Sequence, residues 1–126
     1  MEAYEAPHAE VTVLITDDRQ MAQLNEQFRD VASTTDVLSF PAPAHVAGHL
    51  GDIAISYDVA ALQARMRGVS TRDEIAMLAI HGGLHLLGYD DEQEADREDM
   101  IQRMNAIASQ VGLPTDSDWR SGHYDA

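Results

Sequence analysis

His81-Gly82-Gly83-Leu84-His85-Leu86-Leu87-Gly88-Tyr89-Asp90-Asp91 sets two imidazoles one helical turn apart in an apolar stretch, then a glycine, then two carboxylates. In an α-helix, side chains four apart share a face with Cβ atoms roughly 5–6 Å apart, so His81 and His85 can converge on one ion. Neutral imidazole is the commonest metal ligand. A lone buried histidine is more often a hydrogen-bonded core residue, but two at ligand spacing ahead of a glycine point to metal. A third ligand cannot come from the same unbroken helix, because Asp91 would lie about 9 Å beyond His85 along the axis. Gly88 supplies the break: a glycine just past the last turn takes the left-handed conformation without steric cost and turns the chain back. Asp91 is then the candidate third ligand, with Asp90 beside it. The same Asp91, three residues ahead of Glu94, also fits the N-cap of a capping box for the next helix, in which case His123 is the substitute ligand.

Outward from this stretch, Ile75 to Leu87 is apolar almost all round, as in a helix buried at the centre of a domain. Ser70 or Thr71 starts that helix, with Asp73 or Glu74 completing its capping box. Gly82 and Gly83 each cost about 1 kcal/mol of helix propensity relative to alanine, which predicts close approach of another backbone. Upstream, Val11, Val13 and Ile15 alternate with Thr12, Leu14 and Thr16, as in a strand buried mainly on one face. Asp17 or Asp18 caps a helix carrying Met21, Leu24 and Phe28 and ending at Arg29. Val37 to Phe40 and Leu50 to Ser56 read as strands, and Tyr57 to Arg67 as a helix with Val59, Leu62 and Met66 on one side and Gly68 as its stop. A last helix from about Glu92 to Val111 carries Met100, Ile101, Met104, Ile107, Ala108 and Val111 as a core stripe. The tail from Pro114 to Ala126 is polar apart from Trp119, and its His123 reads otherwise as a solvated residue near the chain end.

With 126 residues, 44% of them hydrophobic, the chain suits one compact domain with a single core. It has no cysteine, so any metal must be held by nitrogen and oxygen. The N-terminus lacks the basic and apolar regions of a signal peptide, and no apolar run approaches the roughly 18 residues needed to span a bilayer. A cytoplasmic protein with no membrane or disulfide-linked partner is the simplest reading. Against 22 acidic residues stand 8 basic ones, all arginine, for a formal charge of −14. Broad grip on nucleic acid normally needs a basic stripe, so bulk attraction to naked RNA is not expected. A few placed arginines can still contact phosphate bidentately.

The histidine stretch resembles the YbeY family of metal-dependent endoribonucleases, whose helix reads His-Gly-x-Leu-His-Leu-x-Gly-Tyr-Asp-His. This chain matches at His81, Gly82, Leu84, His85, Leu86, Gly88, Tyr89 and Asp90, and has Asp91 where the family has its third histidine. A second block agrees in order: Leu24-Asn25-Glu26-Gln27-Phe28-Arg29, Thr35-Asp36-Val37-Leu38-Ser39-Phe40-Pro41 and Gly51-Asp52-Ile53. Two blocks make the resemblance specific over roughly residues 10 to 112, where a short His-x-x-x-His match alone would not.

The resemblance implies an α+β fold: a single small domain over residues 1–126, with its core at about 10–112 and a polar tail from 113. A mixed sheet of three to four strands is packed by about four helices, the central buried one carrying the histidines. It implies hydrolysis of ribosomal RNA phosphodiesters on one zinc ion held by His81, His85 and Asp91, with Arg29 as the catalytic arginine facing the phosphate. Apart from the resemblance, Arg29 reads as a surface arginine complementing a helix C-terminus. The implied partners are ribosomal RNA or a ribosomal particle, with small-subunit ribosomal proteins or an assembly GTPase. Family members begin with a further strand and helix ahead of the segment at Val11, so either the sheet has lost an edge element here, leaving an open edge that favours pairing with another chain, or the start of the chain is incomplete. A carboxylate in place of the third imidazole lowers the site's net charge, weakens the ion as a Lewis acid and widens the tolerated metals towards manganese or iron. The glutamate of a His-Glu-x-x-His peptidase is replaced by Gly82, which disfavours that class. The alternatives are a non-catalytic ribosome assembly factor with a structural metal, and a metallohydrolase of another substrate.

Overall fold

A computed structural model describes residues 10–29, 33–43, 48–89, 93–116, 119 and 123–125. Along them run β1 (Glu10–Thr16), α1 (Asp18–Arg29), β2 (Ser33–Thr35), β3 (Val37–Pro41), β4 (His49–Ser56), α2 (Tyr57–Arg67), α3 (Thr71–Leu86), α4 (Glu94–Gln110) and β5 (His123–Asp125). The first three helices begin where short polar side chains take up orphan backbone N–H groups, whereas α4 follows Gln93 without a side-chain cap. Asp17 Oδ1 accepts from the Gln20 N–H at 2.8 Å, Ser56 Oγ from Val59 at 3.1 Å, and Ser70 Oγ from Asp73 at 3.0 Å. Gly68, at φ 73, closes α2.

Three strands form a sheet in the order β1-β4-β3, with β1 parallel and β3 antiparallel to β4. Together with the four helices this mixed sheet gives the α+β architecture that the sequence predicts. A separate antiparallel ribbon pairs β2 with β5, neither of them expected, because three-residue strands show no periodicity. Alternation along the strands sorts the core onto two faces. Val37, Ile53 and Ile55 pack with Met77, Leu78 and Leu84 of α3 and with Met100, Met104 and Ala108 of α4. Leu38 and Ala54, one residue out of step, pack with Met21 of α1. Full burial of each large aliphatic side chain is worth about 1.5–3 kcal/mol, so the α3 face dominates the core.

Four expectations are corrected. On α2 the buried residues are Val59, Ala60, Gln63 and Ala64, while Leu62 is exposed and Met66 is 74% exposed. Small residues let α2 lie close against α3, and Gln63 turns inward because its Nε2 donates to the buried Asp36 carboxylate at 3.2 Å. On α4 the stripe stops at Ala108, and Val111 is exposed past the last full turn. Strand β1 is not buried on one face: Leu14 is 53% and Ile15 50% exposed, because β1 lies at an edge of the sheet while the helices pack on β3 and β4. Lastly, the tail is not merely polar, since Trp119 is 2% exposed and joins the α3 core.

Close approach explains one of the paired glycines. A Cβ at Gly82 would stand 3.0 Å from both Ile53 Cγ2 and Ser39 Oγ, so glycine lets α3 settle onto β3 and β4, and Ser39 Oγ donates to the Gly82 carbonyl at 3.2 Å. The close neighbours are side chains, not the backbone expected. At Gly83 nothing lies within 4 Å of such a Cβ, and nothing in the structure explains that glycine.

Candidate active site

The end of α3 shows how the sequence builds the site. Gly88, at φ 102, donates its N–H to the His85 carbonyl at 3.0 Å, and Tyr89 donates to the Leu84 carbonyl at 3.0 Å. These two bonds form the Schellman turn that the glycine predicts. The turn carries the Tyr89 carbonyl back over the last turn of the helix, 3.0 Å from His85 Nδ1. A carbonyl oxygen only accepts, so His85 Nδ1 carries a proton, and the lone pair of a neutral ring in this tautomer lies at Nε2. Holding one ring nitrogen on a backbone carbonyl to aim the other is how metal-ligating histidines are commonly oriented.

That lone pair faces His81. The two Nε2 atoms stand 3.1 Å apart, with ring centroids at 4.5 Å and planes at 86°. Around a tetrahedral zinc with Zn–N bonds of about 2.0–2.1 Å, two ligand nitrogens stand roughly 3.3–3.4 Å apart. At 3.1 Å the contact is itself an N–H···N hydrogen bond, and opening it by about 0.2–0.3 Å would give the spacing that two imidazoles on one divalent cation need. His81 is buried, at 4% exposure, whereas His85 is half-buried, which gives the pair a closed side and an open one.

Of the other residues the sequence singles out, Arg29 is the last residue of α1, and its side chain lies outside the described residues. Asp90 and Asp91 also lie outside them, as does the side chain of His123, whose backbone belongs to β5. Among the described residues no group of three or more His, Asp or Glu is gathered as a metal cage. The second sequence block lies against the histidine helix: Ser39 bonds Gly82, and a Cβ at Gly51 would stand 2.8 Å from Leu86 Cδ2.

Glu74 and Trp119, which the sequence places in a helix cap and a tail, join this region together with Arg67, Asp116 and Arg103. Glu74, expected at most to help cap α3, is 1% exposed and faces inward. Its carboxylate accepts from Trp119 Nε1 at 3.0 Å and stands 3.5 Å from Arg67 Nε, while Arg67 Nη1 donates to Asp116 at 2.8 Å. Burial pushes the Glu74 carboxyl up from its ordinary range, against the opposing pull of Arg67 and the indole N–H. Its spacing was a usable signal, because an acid two turns ahead of His81 falls on the same helix face. Trp119 bridges the two groups, its ring centroid 5.0 Å from that of His81. On the other side, α4 sets the Arg103 guanidinium 5.0 Å over the Tyr89 ring, bringing a half-exposed cation to the turn that holds His85.

The family model for endoribonuclease YbeY matches residues 1–112. The chain belongs to the YbeY endoribonuclease family. An endoribonuclease YbeY from Roseiflexus castenholzii is 44% identical over 113 residues, covering 82% of this chain and 71% of its own length. One from Desulfitobacterium hafniense is 43% identical over 119 residues, covering 86% and 76%. The solution structure of TM1509 from Thermotoga maritima superimposes with a TM-score of 0.56 at 26% identity, over 87% of this chain and 75% of that one. The YbeY match thus takes in the histidine helix and the second sequence block, and it ends seven residues before Trp119. No helix among the described residues is long and apolar enough to cross a membrane.

Proposed function

We propose that the chain is a metal-dependent endoribonuclease that hydrolyses phosphodiesters of ribosomal RNA, with His81, His85 and Asp91 as the residues that hold the metal, zinc in the first instance. The observation that carries the reading is the pair of Nε2 atoms facing one another at 3.1 Å, one of them fixed by the Tyr89 carbonyl. When bound, such a cation supplies Lewis acidity, lowering the pKa of a water towards 7 and drawing charge from the phosphate. The protein's own part is positioning. The Gly88 turn holds His85 in one tautomer, and burial of His81 keeps water from one side of the site. Arg29 meets the negative charge that builds on the phosphoryl oxygens during attack, where a guanidinium can bind two of them. Asp91 in place of a third imidazole makes the site less electrophilic and more tolerant of manganese or iron.

The charge of −14 sets the form of the substrate. Long-range repulsion disfavours free RNA, so the RNA is engaged as part of a ribosomal particle, where basic proteins offset that repulsion. Metal content and RNA cleavage measured together test the reading. The chain purified without added metal should hold about one equivalent, lost in His81→Ala and Asp91→Ala, and Arg29→Ala should keep the metal but lose cleavage of ribosomal particles. Metal retained in Asp91→Ala would remove Asp91 from the ligand set. Bound metal with no cleavage by the parent chain would instead favour an assembly factor with a structural metal.

A further inference from the structure

Trp119 lies beyond the part of the chain that the family model matches, yet it is almost fully buried and touches the candidate site directly. Its indole is held on several sides. The ring packs against His81 with a 5.0 Å centroid separation and a 50° tilt, Nε1–H donates to Glu74 Oε2 at 3.0 Å, and the Arg67 guanidinium stands 5.3 Å from its centre. Its backbone N–H donates to the Asp116 carbonyl at 3.3 Å, and Asp116 in turn pairs with Arg67. A phenylalanine facing a leucine would fill this space without burying a carboxylate, and such replacements are often neutral or stabilising. What the polar arrangement adds is orientation. An indole fixed at its N–H can take one place, and the imidazole packed on it then has one place to go.

We propose that Trp119 is a positioning residue for His81, anchored by Glu74 and Arg67, and that it holds the imidazole in the rotamer that directs Nε2 at His85. The proposal rests on the reading of His81 and His85 as a metal-holding pair. The site is therefore buttressed by Trp119, whose N–H is anchored on Glu74 two turns ahead of His81. Without the indole, His81 must be immobilised at the moment the metal binds, and affinity falls.

Trp119 is also the single tryptophan of the chain, so its fluorescence reports on its own contact with His81. The test uses the full chain stripped of metal and titrated with Zn²⁺ alone against a chromophoric chelator, and with Co²⁺ alone while indole emission is followed. The parent should bind one Zn²⁺, and Co²⁺ should quench the indole in the parent but not in His81→Ala. Trp119→Ala should weaken Zn²⁺ binding about 10–100-fold, the range seen when a group that orients a metal ligand is lost. Trp119→Phe, which restores a ring but not the N–H, should recover part of that loss. If Trp119→Ala fails to fold, Trp119→Phe decides the question: parental Zn²⁺ affinity in a folded variant overturns the proposal while leaving the metal reading intact. Absence of Zn²⁺ uptake by the parent overturns both.

Discussion

The two ends of α3 hold polar groups in opposite ways. Towards its start, the Glu74 carboxylate is met within the protein by an indole N–H at 3.0 Å and a guanidinium at 3.5 Å, so donor and acceptor close on each other. Towards its end, two imidazoles turn nitrogen to nitrogen at 3.1 Å, and the carbonyl that fixes one of them does so from the far side of the ring. The first arrangement sets opposite charges and a donor against a carboxylate. The second converges on a point that a cation fits. One helix thus carries the Glu74 cluster and the histidine pair on the same face, with Trp119 between them.

The sharpest way to break this contrast is to remove one group from each end. His85→Leu should reduce Zn²⁺ affinity more than about 100-fold, beyond the loss typical of orienting groups. In the metal-free chain it removes two part-buried hydrogen bonds, to the Tyr89 carbonyl and to His81 Nε2, so stability should fall by about 1–2 kcal/mol. Glu74→Ala should do the reverse in the metal-free chain, costing about 2–3 kcal/mol by urea denaturation. It strands a buried indole N–H and one face of Arg67, a figure set below the usual range for a broken buried pair because Arg67 keeps Asp116. Equal losses of stability in the two variants would dissolve the distinction.

Most of the histidine end was legible in the sequence, and little of the carboxylate end was. His81, His85 and Gly88 are consecutive enough that helix geometry alone brings them together, and the Schellman turn formed where the glycine required it. Glu74 and Trp119 are 45 residues apart, and no local pattern couples them. Ser70 also gave a sufficient local reason for acids at 73 and 74, which hid the inward turn of the second. Similarly, Leu62 and Met66 had the right spacing for a buried face, but α2 meets α3 through alanines, so periodicity chose the wrong side. Arg29 rests on motif correspondence and Asp91 on the chain reversal at Gly88; the Arg29 side chain and all of Asp91 lie outside the described residues.

The middle of the helix offers a finer probe. Gly82→Ala would place a methyl 3.0 Å from Ile53 and Ser39, so overpacking of about 1–3 kcal/mol should outweigh the roughly 1 kcal/mol gained in helix propensity. Gly83→Ala meets nothing within 4 Å and should stabilise by up to about 1 kcal/mol. Thermal melts of the two variants should therefore move in opposite directions, and a shared direction would mean that α3 does not rest on the sheet at Gly82.

The smallest effect concerns pH. The Glu74 carboxyl is raised above its ordinary 4.5 by burial, so the folded state holds its proton more tightly than the unfolded state does. The resulting stabilisation is fully present below pH 4.5 and is lost as pH rises through the folded value. Stability of the parent minus that of Glu74→Gln should accordingly fall between pH 4 and pH 7, as followed by urea denaturation at each pH. A difference that rises over this interval would show the Arg67 pairing to outweigh burial.

Strand β1 bears on how the protein behaves as a material. From Val11 to Thr16 it carries no charge, five of these six residues are β-branched, and among the described residues it borders the three-stranded sheet with Leu14 and Ile15 exposed. Such an edge is a template for another strand, and at neutral pH the chain's large negative charge keeps copies apart. Carboxylates lose that charge around pH 4, so acid should turn a dispersed protein into one that associates strand to strand, and added salt should act in the same direction. The acidity that sets the chain at odds with free RNA is thus also its colloidal protection.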